Sequence, residues 1–213
     1  MKTLDVNELD QKFYSLISDT KPDLFLEIGS FNAQTSCKVK KLVPECRVIA
    51  YEANPYNYDM FKDTLPSNIE FNNLAISDYV GKTTFYVQLT NNGRIMPKTK
   101  KNNSILERTE SNVHYEHVTV SVDKIDHMFS NEYNNIAMWI DVEGVGYEVL
   151  VGAKSILEKT SLIKIEVESK QFWKDQVIDN KIIDFLHSQG FTSSFRDEEY
   201  TNQYNIIFTK DIT

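Results

Sequence analysis

The stretch LFLEIGSFNAQTS, residues 24–36, passes from an apolar run through an acid and a glycine into small polar residues. The apolar part predicts a buried strand and the polar part a helix start, joined by a tight turn at Gly29. Working outward, CRVIAYEANP predicts a second buried strand that ends in Glu52. Between the two lies a helix from about Ala33 to Leu42, closed by Pro44. Pro55 opens another helix that runs to about Leu65, and IEFNNLAIS is a third strand with its exit. Strands alternating with helices over short links predict a parallel sheet with crossover helices.

The middle of the chain breaks this rhythm. KTTFYVQL and HVTVSV predict strands, separated by the long polar loop TNNGRIMPKTKKNNS, and a loop of that length is functional or mobile. The rhythm then returns. NIAMWIDVEG is an apolar strand ending in acids. YEVLVGAKSILEK is a helix with Val149, Leu150, Ala153, Ile156 and Leu157 on one face. SLIKIEVES is a strand, VIDNKIIDFLHSQG a helix, and FTSSF with YNIIFTK a closing antiparallel pair. Before the first strand, Val6, Leu9, Phe13, Leu16 and Ile17 have helical spacing. The expected organisation is an N-terminal helix over residues 1–21 followed by one α/β domain over 22–213.

Composition narrows the function. The net charge of the 213 residues is −8, which disfavours binding to a phosphate backbone. Cys37 and Cys46 form no CxxC or zinc spacing and are expected to be reduced thiols. The first 19 residues carry acids throughout and do not read as a signal peptide. No window approaches the ~20 apolar residues of a membrane span. These features predict a cytoplasmic protein that engages neither membrane nor nucleic acid, and they leave the oligomeric state open.

In open α/β sheets ligands bind at the carboxyl ends of strands, where strand order reverses. The first turn lacks the second and third glycines of a dinucleotide fingerprint, and no P-loop is present. Glu27 before the turn would repel a pyrophosphate but welcome a cationic group. Glu52 can accept both hydroxyls of a ribose. Together they describe S-adenosylmethionine better than NAD.

The blocks LEIGSFNAQTS, VIAYEANP, NLAISDYVGKTTFYV, VTVSVDKI and WIDVEGVGYEVLVGAKSIL resemble, in order, those of FkbM-type methyltransferases. The resemblance implies a Rossmann-like class I methyltransferase fold with a seven-stranded, mostly parallel sheet, helices on both faces and a C-terminal antiparallel hairpin. It implies S-adenosylmethionine-dependent methylation, above all O-methylation of a hydroxyl on a sugar, glycan or small metabolite. By matching position, Glu27, Gly29 and Ser30 would line the methionine end of the cofactor and Glu52 would hold the ribose. Asn54 and the segment with Ala75, Ser77 and Asp78 would border the adenine, and Asp141 would face the transferred methyl. The chain departs from the usual pattern at Glu27, at Ser30 and Phe31, where the family has Ala-Asn, at Ala33, where it has Gly, and at Val145 and Gly146.

An alcohol acceptor must lose a proton, and Asp141 or Glu143 can take it. If the strand persists, these two acids point to one face and could bind a hard divalent cation, with Glu166 and Glu168 as further ligands. His114, three residues before His117, is a second candidate base. The basic run from Lys98 to Asn103 is a candidate lid or anion clamp, Ser104 a candidate pocket residue, and Phe172 with Trp173 either an aromatic platform or core. Two other readings remain: a methyltransferase-like binding domain without turnover, and an NAD or nucleotide-sugar enzyme.

Overall fold

A computed structural model describes residues 1–129, 132–198 and 200–212. The chain begins with β1 (Lys2–Thr3) and α1 (Val6–Thr20). In α1, Asp5 and Glu8 form a reciprocal cap, and Leu9, Phe13 and Ile17 are buried. There follow β2 (Leu24–Ile28), α2 (Gln34–Leu42), β3 (Arg47–Tyr51), α3 (Pro55–Phe61) and β4 (Glu70–Asn72). The middle contains β5 (Ala75–Ile76), β6 (Gly81–Asn91), β7 (Arg94–Ile95), β8 (Val113–Asp123) and α4 (Ile125–Met128). The last part holds β9 (Ile136–Ile140), α5 (Gly146–Val151), a 3-10 turn (Ile156–Lys159), β10 (Thr160–Glu168), α6 (Asp179–Ser188), β11 (Thr192–Arg196) and β12 (Gln203–Thr209).

The main sheet has the order β1-β11-β12-β10-β9-β2-β3-β4. Strands β10, β9, β2, β3 and β4 are mutually parallel, and β12 runs antiparallel to both β10 and β11. The sheet is therefore mixed and eight-stranded rather than seven-stranded. The extra strand is the two-residue β1, which pairs with the edge strand β11 and is too short to leave a pattern in the sequence. On one face, α1 and α2 bury Leu9, Phe13, Ile17 and Val39 against Phe25, Val48, Trp139 and Leu162. On the other, Ile125, Val149, Leu150, Ile182 and Leu186 pack on Leu26, Ile49, Met138 and Ile163.

A second sheet, β5-β8-β6-β7, stands beside the first. Its inner face buries Ala75, Phe85, Val87, Val120 and Val122. The polar loop expected from Thr90 onward is partly hairpin: Asn92 and Gly93 have φ of 49° and 76° and turn β6 into β7. That is the mirror-image turn for which Asn-Gly is the strongest local signal.

Two helices are shorter than expected. α3 stops at Phe61 because the backbone N–H and the hydroxyl of Thr64 both donate to the Phe61 carbonyl, closing a turn. The helix after Asp141 breaks at Gly152, which approaches the Ser77 carbonyl so closely that a Cβ would stand 2.1 Å from it. Val149, Leu150, Ala153, Ile156 and Leu157 are nevertheless all buried, carried by α5 and the 3-10 turn in succession.

Candidate active site

Register builds the site. Ile28 is level with Tyr51 on one side and with Ile140 on the other, and Ile140 is level with Ile165. The next residue along each chain segment is Gly29, Glu52, Asp141 and Glu166, so three strand exits and the end of β10 bring these residues into one row. The row lies where strand order reverses, between β2 and β9, the place open α/β sheets use for ligands. A cleft of about 470 Å³ runs along it, a size common for small-molecule sites.

Gly29 has φ +84°, and a Cβ there would stand 2.1 Å from the Asp141 carbonyl oxygen. Glycine is required because the first turn packs directly on the fourth strand exit, where the Asp141 N–H donates to the Ile28 carbonyl at 2.8 Å. Two further residues of the turn are left-handed, Phe31 at 50° and Ala33 at 52°. These are the positions where the chain departs from the Asn and Gly of its resemblance family, so the turn keeps its shape with less tolerant residues.

The turn is held by two buried acids. Glu52 accepts from Phe31 N through Oε2 and from Asn54 N through Oε1, both at 2.7 Å. Asn57 Nδ2 adds a longer bond at 3.4 Å. Glu27 accepts from Ser36 N at 2.7 Å, so it caps the start of α2, where Ala33 has no side chain able to do so. Burial outweighs these hydrogen bonds and raises both carboxyls to about 7.

Beyond Asp141 the chemistry changes. β9 ends at Ile140, so Asp141 and Glu143 lie on the loop after it and are not set by strand alternation. Side-chain oxygens of Glu143, Glu166 and Glu168 come within 4.8 Å of one another. Burial, with the negative charge of Asp141 next, raises Glu143 to about 8 and Glu168 to about 7 and lifts Glu166 well above its ordinary range. Arg108 sits over Trp173, its Cζ 4.3 Å from the ring centroid, and pulls Glu143 and Glu168 partly back.

The loop from Lys98 to Ser104 crosses the cleft. The Lys98 carbonyl accepts from Asn54 Nδ2 at 2.8 Å, and Asn103 Oδ1 accepts from Gln88 N at 2.9 Å. Lys101 Nζ sits 5.0 Å from the Phe31 ring centroid, and the Ser104 hydroxyl donates to the Glu143 carbonyl.

Several expected residues meet here and others do not. Glu27, Gly29, Ser30, Glu52, Ala75, Asp141, Glu143, Glu166 and Ser104 all line the cleft. Asn54 is buried behind it as a support. Ser77 is buried against Gly152 and Asp78 is exposed, and neither lines the cleft. His114 is exposed on β8, opposite Thr90, in the second sheet and away from the cleft. Its position in a strand, rather than at a strand exit, removes it from the candidate bases. Trp173 is 1% exposed and packs on Gly144, where a Cβ would be 3.0 Å from the ring, so it is core rather than platform. Sequence reasoning missed Asp10, Lys164, Gln203 and Asn205, which line the far half of the cleft. The signal was available: Lys164 with Glu166, and Gln203 with Asn205, are polar pairs two apart in otherwise apolar strands, each sharing one face.

The strand order and the site at its reversal define the fold of class I methyltransferases. A model of the methyltransferase FkbM domain matches residues 23–193, and the chain belongs to that family. Among solved structures it is similar to the methyltransferase FkbM of Methylobacillus flagellatus KT (TM-score 0.50, 13% identity, 88% of this chain and 44% of that one). It is also similar to magnesium protoporphyrin IX methyltransferase of Synechocystis PCC 6803 with bound SAM (TM-score 0.52, 9% identity, 96% and 79%). A third is a protein of the NADB-Rossmann superfamily from Streptococcus agalactiae (TM-score 0.52, 11% identity, 99% and 71%). At these identities the likeness is one of fold. The chain spans less than half the length of the Methylobacillus protein. No curated protein matches it in sequence. No helix among the described residues is long and apolar enough to cross a membrane.

Proposed function

We propose that the chain is an S-adenosylmethionine-dependent methyltransferase that methylates a hydroxyl of a sugar, glycan or other polyol. The observation that carries the cofactor reading is Glu52. It is 6% exposed, and each of its oxygens is fixed by a backbone N–H: Oε2 keeps a lone pair for one ribose hydroxyl, and Oε1 has only the long 3.4 Å bond from Asn57 to give up for the other. Glu27, at the same end of the cleft, suits the ammonium of the methionine moiety. S-adenosylmethionine, when bound, supplies a methyl group already activated on a sulfonium.

The chain's own residues then have three tasks. Glu27 and Glu52 orient the cofactor, the loop from Lys98 to Ser104 excludes water, and Asp141 or Glu143 accepts the proton of the acceptor hydroxyl. The polyol reading is supported by the far half of the cleft, where Asp10, Lys164, Glu166, Gln203 and Asn205 stand beside Trp139 and Tyr200. Such a set offers planar hydrogen-bonding groups and ring faces together.

Calorimetric titration with S-adenosylmethionine, S-adenosylhomocysteine and NAD tests the cofactor. Binding of the first two and not the third is expected. Incubation with labelled cofactor and oligosaccharide or polyol pools tests turnover. Binding without label transfer to any pool would favour a methyltransferase-like binding domain.

A further inference from the structure

We propose that Glu143, Glu166 and Glu168 form a binding site for one hard divalent cation of the Mg²⁺, Mn²⁺ or Ca²⁺ class, on the acceptor side of the cleft. The inference extends the methyltransferase reading and gives its acceptor hydroxyl a place to be held. Two strands build the site. Glu166 and Glu168 stand two apart on one face at the end of β10, and Glu143 reaches them from the loop after β9.

Geometry is the first support. One oxygen from each carboxylate lies within 4.8 Å of the others. Ligands at ~2.3–2.6 Å from a Ca²⁺ ion span up to about 5 Å across it, and those of the smaller Mg²⁺ at ~2.0–2.1 Å span about 4 Å. The cluster thus fits a larger ion as it stands and Mg²⁺ after a small contraction. All three donors are carboxylate oxygens, with no imidazole or thiolate among them, which selects hard cations over zinc or copper.

The second support is independent of the spacing. Glu168 is only 3% exposed, and although the Gln176 side chain stands near enough to favour its carboxylate, its Oε1 closes no hydrogen bond, nor does the buried Oε2 of Glu143. Buried carboxylate oxygens without partners are costly, and proteins keep them where a ligand completes them. The nearby cations do not serve. Arg108 lies against Trp173, and neither it nor Lys100 makes an ion pair with any of the three acids among the described residues. Glu166 is oriented by Gln203 Nε2, which donates to its Oε1 at 2.7 Å. Glu143 and Glu166 line the cleft and Glu168 does not, so an ion held by the three would have its open positions toward the acceptor.

The test uses the full chain without cofactor. Mn²⁺ binding is followed by electron paramagnetic resonance, with Ca²⁺ and Mg²⁺ as competitors, for the wild type, Glu168→Gln, Glu143→Gln and Glu52→Ala. Circular dichroism checks that each variant is folded. One Mn²⁺ per chain is expected, weakened at least tenfold in both glutamine variants and unchanged in Glu52→Ala. If Glu168→Gln does not fold, Glu143→Gln, on a loop, carries the comparison. No stoichiometric binding by the wild type, or equal binding by a folded glutamine variant, overturns the proposal. S-adenosylmethionine titration of the same samples separates the two readings. Cofactor binding without a cation site leaves the methyltransferase reading standing alone, whereas a cation site without cofactor binding leaves only the metal.

Discussion

The two ends of the cleft use the same residue type, buried at one end and buried or half-buried at the other, and complete it differently. At the exits of β2 and β3, Glu27 and Glu52 are nearly inaccessible, and each takes short hydrogen bonds from backbone N–H groups of the turn and helices beside it. At the exits of β9 and β10, Glu143, Glu166 and Glu168 crowd one another, and two of them keep an oxygen with no partner. The first pair is part of the scaffold and would be there without a ligand. The second group is held together by the chain but not satisfied by it. A preformed half and an unfinished half fit the proposed division into a cofactor site and an acceptor site.

The largest expected break of this comparison is at Gly29. Gly29→Ala places a Cβ against the Asp141 carbonyl at a left-handed φ, and should unfold the chain or lower its melting temperature by ten degrees or more, read by thermal denaturation. Next is Glu52→Ala, expected to weaken S-adenosylmethionine binding about 100-fold through two lost charge-assisted hydrogen bonds. Asp141→Ala and Glu143→Gln should cut turnover by about 10²–10⁴ while leaving cofactor affinity within a few-fold. Equal losses of affinity at Glu52 and Glu143 would erase the distinction between the two halves.

A smaller effect sharpens the contrast through pH. Glu27, Glu52, Glu143 and Glu168 titrate at about 7 to 8 in the folded chain against an ordinary value of 4.5. Between those values the folded state holds more protons than the unfolded one, so stability should fall as pH rises from about 5 to 8. Denaturant midpoints across that range should show a shallower fall for Glu143→Gln. Millimolar Ca²⁺ should flatten the wild-type curve in the same way. A rise in stability over this range would contradict the assigned burial of these groups. The smallest effect is expected at Lys101, whose ammonium rests on Phe31: Lys101→Ala should change cofactor affinity only a few-fold.

The sequence carried the first half of the site more fully than the second. β2, β3 and β9 are largely apolar runs, and the first residue past β3 and past β9 is an acid, so Glu52 and Asp141 could be read from strand ends alone, whereas Glu166 lies inside β10 and joins their row only through register. The half proposed to hold the acceptor depends on which strands become neighbours. Gln203 and Asn205 matter only because β12 pairs with β10 and sets them level with Glu168 and Glu166. Lys164 matters because α1 brings Asp10 onto it at 2.5 Å, across 154 residues. His114 failed as a candidate for the same reason, since the second sheet turns it away from the cleft. The β6–β7 turn is a different case, because its Asn-Gly signal was local and was outweighed by the polarity of the residues around it.

Calorimetric titration of S-adenosylmethionine into the wild type and Glu52→Ala at pH 8, where both buried acids of the first half are mostly ionised, tests the cofactor assignment most directly. Micromolar binding by the wild type, lost in the folded variant, is the predicted result. Absence of binding by the wild type, or undiminished binding by the variant, would contradict the assignment of this cleft to the cofactor.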